Sequence, residues 1–199
     1  MSISIKTAPQ NLTLKQKQTA TQLYCAALTQ KISPFLGTPD RAAKVLVQGF
    51  NCQRCVMAMD IEDQPIGIAG FYLDGEGLFE PPLSVFKQEY GWSGIVRALA
   101  LSFLERKKSE DVLLMDGLAV APCARGMGIG TKLLTAVEEV ARLSAKSSVR
   151  LDVIDVNPRA KALYERRGFE SVNTVDLGPA RLLFDFNKIT EMRKTLTAV

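Results

Sequence analysis

Apolar positions along this chain recur at two spacings, and each change of spacing marks a new element. Residues 2–7 read as a first strand. Residues 12–36 and 40–48 carry helical spacing, the second helix capped by Thr38 or Asp40. Residues 54–59 and 66–73 read as a strand pair around the turn Glu62-Asp63-Gln64-Pro65, and residues 74–82 read as a loop. An amphipathic helix is predicted over 93–108, with Ile95, Leu99, Leu101 and Phe103 among its apolar residues. Residues 112–120 form a largely apolar strand, and a helix then runs to about Ser144 with Leu133, Leu134, Val137, Val140 and Ala141 on one face. Residues 149–156 alternate as a strand, a short helix follows, and 171–175 and 180–186 read as two further strands.

The turn between the apolar strand and its helix is the most informative segment. Leu118-Ala119-Val120-Ala121 breaks at Pro122, passes Arg125, and meets glycines at 126, 128 and 130 before Thr131 opens the helix. Glycine allows positive φ and a close approach of backbone to ligand. The first helical N–H groups lack partners and carry the positive end of the dipole, so the turn suits a phosphate. A P-loop does not fit, because Thr131 precedes Lys132 and no glycine stands five places before Gly130. The dinucleotide fingerprint fails too, since its third glycine would fall on Thr131. Arg-x-x-Gly-x-Gly is complete, on Arg125, Gly128 and Gly130; a Gly-rich turn without a ligand is the plainer alternative. One helix and one strand later, Asn157-Pro158 suit a helix start and Gly168 its end, within the pattern N-x-x-A-x-x-L-Y-x-x-x-G-F.

The two motifs together, over residues 112–169, resemble the signatures of the GNAT superfamily of acetyl-CoA-dependent N-acetyltransferases. The resemblance implies an α/β fold, a central mixed sheet with splayed middle strands and helices on both faces, as one domain over 1–199. It implies acetyl-CoA as acyl donor and an amine of a small molecule or protein as acceptor. Backbone groups of Leu118, Ala119 and Val120 would hold the pantetheine arm, and Arg125, Gly126, Met127, Gly128, Ile129, Gly130 and Thr131 the pyrophosphate. Asn157 falls where the family orders the arm, although N-capping explains it equally. Tyr164 falls on the family's general acid; a core tyrosine is the alternative. Asp116 is the acid that the strand before the loop offers as general base, against a water relay or a structural Asp. Asp116-Gly117 inside a strand suggests a bulge. A non-catalytic acyl-CoA sensor and a plain nucleotide-binding domain are the rival readings.

Composition narrows the chemistry further. The 199 residues are 47% hydrophobic and 23% charged, with a formal charge of +4. There is no histidine, which removes Ser-His-Asp and Cys-His systems and metal sites that need imidazole, so no metal is expected. Cys52 and Cys55 lack a second pair at zinc spacing, and with Cys25 and Cys123 they read as core or surface thiols suited to a reducing cytoplasm. Without clustered arginines or an aromatic stripe, nucleic acid is not an expected partner. The start of the chain does not read as a signal peptide, and the longest near-apolar run, 98–104, is too short to span a bilayer. Asp74, Glu76 and Glu80 could form an acidic rim for a cationic amine or a solvated loop, and Arg159, Lys161, Arg166 and Arg167 could reach the adenosine-side phosphate or stay exposed. The acceptor and the oligomeric state, a homodimer included, are not legible.

Overall fold

A computed structural model describes residues 3–104 and 110–197. Seven strands form one sheet: β1 (Ser4–Thr7), β2 (Cys55–Met59), β3 (Pro65–Tyr72), β4 (Val112–Val120), β5 (Ser148–Ile154), β6 (Glu170–Asp176) and β7 (Lys188–Thr195), in the order β1-β2-β3-β4-β5-β7-β6. Among the described residues only β4 and β5 pair in parallel; the other neighbours are antiparallel, so the sheet is mixed as the resemblance implied.

Both faces carry helices. Helix α6 (Ile129–Leu143) lays Leu133, Leu134, Val137 and Ala141 against Leu113, Met115, Val149, Leu151 and Met192. That is the apolar face its sequence spacing predicts. On the opposite face, Ala20 and Tyr24 of α1 (Leu14–Ala27) pack on Met57, Met59, Ile68 and Ala119. Cys25, Leu36, Ala42, Val45, Phe86 and Tyr90 tie α1 to α2 (Thr29–Leu36), α3 (Pro39–Leu46) and α4 (Leu83–Tyr90). Beneath α6, the buried Glu138 carboxylate meets Lys194 Nζ at 2.8 Å and Arg167 Nη2 at 3.3 Å.

The structure corrects several sequence expectations. The helix read over 12–36 is two helices, parted at Leu28 with φ −108° and ψ 21°. At the break the Thr29 hydroxyl donates to the carbonyls of Cys25 and Ala26 at 3.0 and 2.9 Å, a contact that satisfies acceptors at the end of α1. Helix α3 begins at Pro39 and is capped by Thr38, not Asp40. Helix α4, absent from the sequence reading, lies between Pro82 and Gly91, whose φ of +60° stops it. Helix α5 (Ser93–Leu104) follows, and the remainder of the predicted helix, 105–108, lies outside the described residues. Residues 180–186 are no strand. They fall largely in the 3-10 turn Gly178–Leu183, where Pro179 has no N–H to give a ladder, and the real strand is β7.

Candidate active site

The middle of the sheet opens. Strands β4 and β5 pair from Val112↔Ser148 to Met115↔Leu151 and no further, although β4 continues to Val120 and β5 to Ile154. At the parting point β4 holds one residue too many. Gly70 of β3 faces Gly117, the next residue Phe71 faces Met115, and Asp116 is the bulged residue between them. The bulge the Asp-Gly pair suggested is therefore present. Its effect is to reverse the facing of the strand: Leu113 and Met115 belong to the α6 core, whereas beyond the bulge Leu118 and Val120 pack there and Ala119 joins the α1 side.

Gly117 is forced by its surroundings. A Cβ there would stand 2.5 Å from Leu28 Cδ1 and 2.8 Å from Tyr24 Oη. Tyr24 thus reaches from α1 to the bulge, and burial, then the neighbouring Asp116 charge, push its hydroxyl well above the ordinary tyrosine range. Asp116 itself is exposed, with Oδ2 3.5 Å from the Cβ position of Gly77.

Beyond β4 the backbone turns through Gly126 at φ +82° and Gly128 at φ +73°, and nothing lies within 4 Å of where either Cβ would be. Gly128 is the N-cap of α6, and no side chain caps that end. Thr13, Thr38 and Asn157 cap α1, α3 and α7 (Pro158–Arg166) with their side chains, whereas α2 and α4, like α6, have no side-chain cap. Helix α6 therefore leaves its first N–H groups available to a ligand. Gly130 serves packing instead, since a Cβ would come 2.9 Å from Leu163 Cδ2. Arg125 is exposed, with Nε donating to the Val120 carbonyl at 3.4 Å, so its side chain lies back over the end of β4.

Tyr164 projects from α7 into the same region, 6% exposed, its ring 6.0 Å from that of Phe169. Burial pushes its phenol up to about 12, which keeps it protonated at neutral pH. Asn157 Oδ1 accepts from the Ala160 N–H at 3.2 Å, leaving the side-chain NH2 for other contacts.

One cavity of about 580 Å³ joins these parts. Asp116, Leu118, Ala119, Val120, Arg125, Gly126, Gly128, Ile129, Gly130, Thr131, Asn157 and Tyr164 all line it; Met127 does not, and its side chain points to solvent. The cysteines stay outside the cavity as free thiols, and burial lifts Cys25 and Cys55 to about 12. Sequence reasoning missed the opposite wall, Ala27, Leu28, Gln30 and Lys31, where Lys31 Nζ donates to the Asp152 carbonyl at 2.9 Å. It did not single out Leu151 and Leu163, which also line the cavity. Among the described residues no helix is long and apolar enough to cross a membrane.

Comparison with known proteins agrees with this geometry. The chain is similar to thialysine N-epsilon-acetyltransferase of Bos taurus, 38% identical over 69 residues, which is 35% of this chain and 40% of that protein. The chain thus matches less than half of that relative's length. A solved acetyltransferase structure superposes with a TM-score of 0.61 at 22% identity, covering 98% of this chain and 100% of that one. The NatC complex bound to Gag peptide and CoA gives 0.59 at 17%, covering 99% and 100%. The ribosomal-protein-S18-alanine N-acetyltransferase of Escherichia coli gives 0.56 at 12%, covering 100% and 96%. These likenesses establish the fold. The profile of the acetyltransferase (GNAT) family matches residues 22–169, and the chain belongs to that family.

Proposed function

We propose that this protein is an N-acetyltransferase that moves an acetyl group from acetyl-CoA to a primary amine of a small molecule or protein. The observation that carries the reading is the parting of β4 from β5 after Met115 and Leu151, beside an uncapped helix N-terminus that opens with two left-handed glycines. From Gly117 onward the β5-facing edge of β4 is unpaired by β5, so Leu118, Ala119 and Val120 offer backbone groups to the amides of a pantetheine arm. The N–H groups after Gly126 and Gly128, with Arg125, would hold the pyrophosphate. The donor supplies the acetyl thioester.

The residues around the gap divide the remaining work. Tyr164, a neutral phenol in the cavity wall, serves as the donor toward the departing thiolate. Asp116 stands at the bulge on the α1 side, open to solvent, and receives the amine proton directly or through water. Bringing an alkylammonium with pKa ~10 to its neutral form at pH 7 costs about 4 kcal/mol, which solvent exchange can meet without a strongly perturbed base. Asn157 caps α7 through Oδ1, and its free amide NH2, at the cavity wall, would serve the arm. The bovine relative, named for an N-epsilon amine, favours a terminal amine as acceptor. On the same reading the chain is one domain that works in the cytoplasm without metal, nucleic acid or membrane.

Tyr164→Phe separates catalysis from mere binding of acetyl-CoA. It keeps the ring, so acetyl-CoA affinity should hold while kcat falls roughly 10²-fold. An unchanged kcat would reduce Tyr164 to a packing residue.

A further inference from the structure

A second cavity, of about 600 Å³, lies on the α1 face of the sheet, one step from the gap. Its floor is a single transverse row. Tyr72 faces Leu114, Leu114 faces Arg150, and Arg150 faces Arg193, across four adjacent strands. All four residues line the cavity. The neighbouring row toward the gap is acidic: Asp152 faces Glu191, and on β4 the same step leads to Asp116. A step of two residues along a strand is about 6–7 Å. The sheet therefore presents carboxylates next to the reaction centre and guanidinium groups one step behind them.

The guanidinium groups have donors to spare. Glu191 takes Arg150 Nη2 at 2.8 Å and Arg193 Nη2 at 3.8 Å, so one carboxylate is shared by two cations. Both Nε atoms are buried and have no hydrogen-bond partner among the described residues. Of the other charged groups lining the cavity, Lys146 Nζ meets Asp74 Oδ1 at 3.1 Å and the main-chain carbonyl of Glu110 at 2.9 Å.

We propose that this cavity is an acceptor subsite, in which Arg150 and Arg193 hold a carboxylate of the substrate. The acceptor class is then an ω-amino carboxylate, with its amine at the Asp116 row and its carboxylate one strand-step away. Two guanidinium groups already grip one carboxylate, that of Glu191, and the outer Nη donors, Arg193 being 41% exposed, can take a second in the same way. Two residues along the strand and one to two strands across put the Asp116 position about 8–12 Å from those of Arg150 and Arg193, which is too long for an amine and carboxylate on one carbon and suits an amine at the end of a short alkyl chain. The amine half of this assignment rests on the acetyltransferase reading; the carboxylate half stands on the cavity alone.

Two arms test it. In the first, hexanoate is titrated into the protein while the Nε–H resonances of Arg150 and Arg193 are followed by NMR, with hexylamine as control. The subsite predicts saturable shifts of both resonances with hexanoate and none with hexylamine. Glu191→Gln, which removes the competing carboxylate, should tighten hexanoate. In the second, kcat/KM is compared for ω-aminohexanoate and hexylamine. The parent should favour the amino acid roughly 10- to 100-fold, and Arg150→Gln and Arg193→Gln should each erase most of that preference while hexylamine is acetylated as before. Resonances unmoved by hexanoate, or a preference that survives both substitutions, would overturn the subsite. If no amine turns over yet hexanoate still shifts both resonances, the acetyltransferase reading fails and the carboxylate site stands.

Discussion

Met115 and Leu151 are the last residues that face each other across β4 and β5, and the bulged Asp116 follows immediately on β4. Splay and bulge thus occupy one level of the sheet. The bulge reverses the strand just where its hydrogen-bonding edge becomes free, so Gly117 turns toward Tyr24 on the α1 side while Leu118 and Val120 stay with the α6 core.

Gly117→Ala tests that arrangement. The new Cβ would stand 2.5 Å from Leu28 Cδ1 and 2.8 Å from Tyr24 Oη, so α1 must move or the bulge must flatten. Overpacking of this kind costs about 1–3 kcal/mol. The denaturation midpoint should fall and kcat/KM with it. A variant as stable and active as the parent would show that Tyr24 does not fix the bulge.

The phosphate loop gives a second expectation. Arg125→Ala should weaken acetyl-CoA roughly 10- to 150-fold by calorimetry, the worth of about 1.5–3 kcal/mol for a charge-assisted contact, with little change in folding. Gly128→Val should do more, because Gly128 sits at φ +73° and its open side is where a phosphate would rest. Parent-like affinity in both variants would remove the loop from the donor site.

How much of this was legible in the sequence depended on range. Arg125, Gly128, Gly130, Asn157 and Tyr164 belong to short motifs whose spacing alone places them on one turn and one helix, and all five line the cavity. Leu28, Lys31 and Tyr24 were not legible, because their role comes from crossing to β4 and β5, distant in sequence. Strand β7 was hidden for another reason. Within Lys188–Thr195 only Met192 is buried, so the alternation that marks a half-buried strand is weak, and the apolar run 180–186 drew the assignment away. The Arg150–Arg193 row was invisible for want of strand register.

Glu138 is a structural counterpart to the site. Its carboxylate is 3% exposed and neutralises Lys194 and Arg167, joining α6 to β7 and the end of α7. Removing one member of a buried ion cluster costs about 3–5 kcal/mol. Glu138→Gln should lower stability by that order in urea, while acetyl-CoA binding by the folded fraction stays unchanged. A loss below about 0.5 kcal/mol, the range of ordinary surface substitutions, would place the cluster among weak surface pairs.

Alkaline stability follows from the buried acids. Cys25, Cys55 and Tyr164 are each pushed up to about 12 by burial, and Tyr24 is raised in the same direction. All four hold their protons more tightly folded than unfolded. Their contribution is complete below the unfolded values, near 8.5 for cysteine and 10 for tyrosine, and is lost as pH rises through the folded ones. Stability should therefore decline from about pH 9 toward 12. For Tyr164 alone the loss approaches about 3 kcal/mol. Tyr164→Phe should decline less steeply above pH 10 than the parent; parallel curves would mean the phenol is not buried as described.

The most direct test of the account is amine-dependent release of CoA from acetyl-CoA, followed as free thiol against a panel of primary amines that includes diamines, ω-amino carboxylates and peptide N-termini. The account predicts thiol release that saturates in both substrates, with one acetylated amine formed per CoA and turnover largely lost in Tyr164→Phe. Tight binding of acetyl-CoA with no amine in the panel acetylated would contradict it and leave a protein that holds the donor without using it.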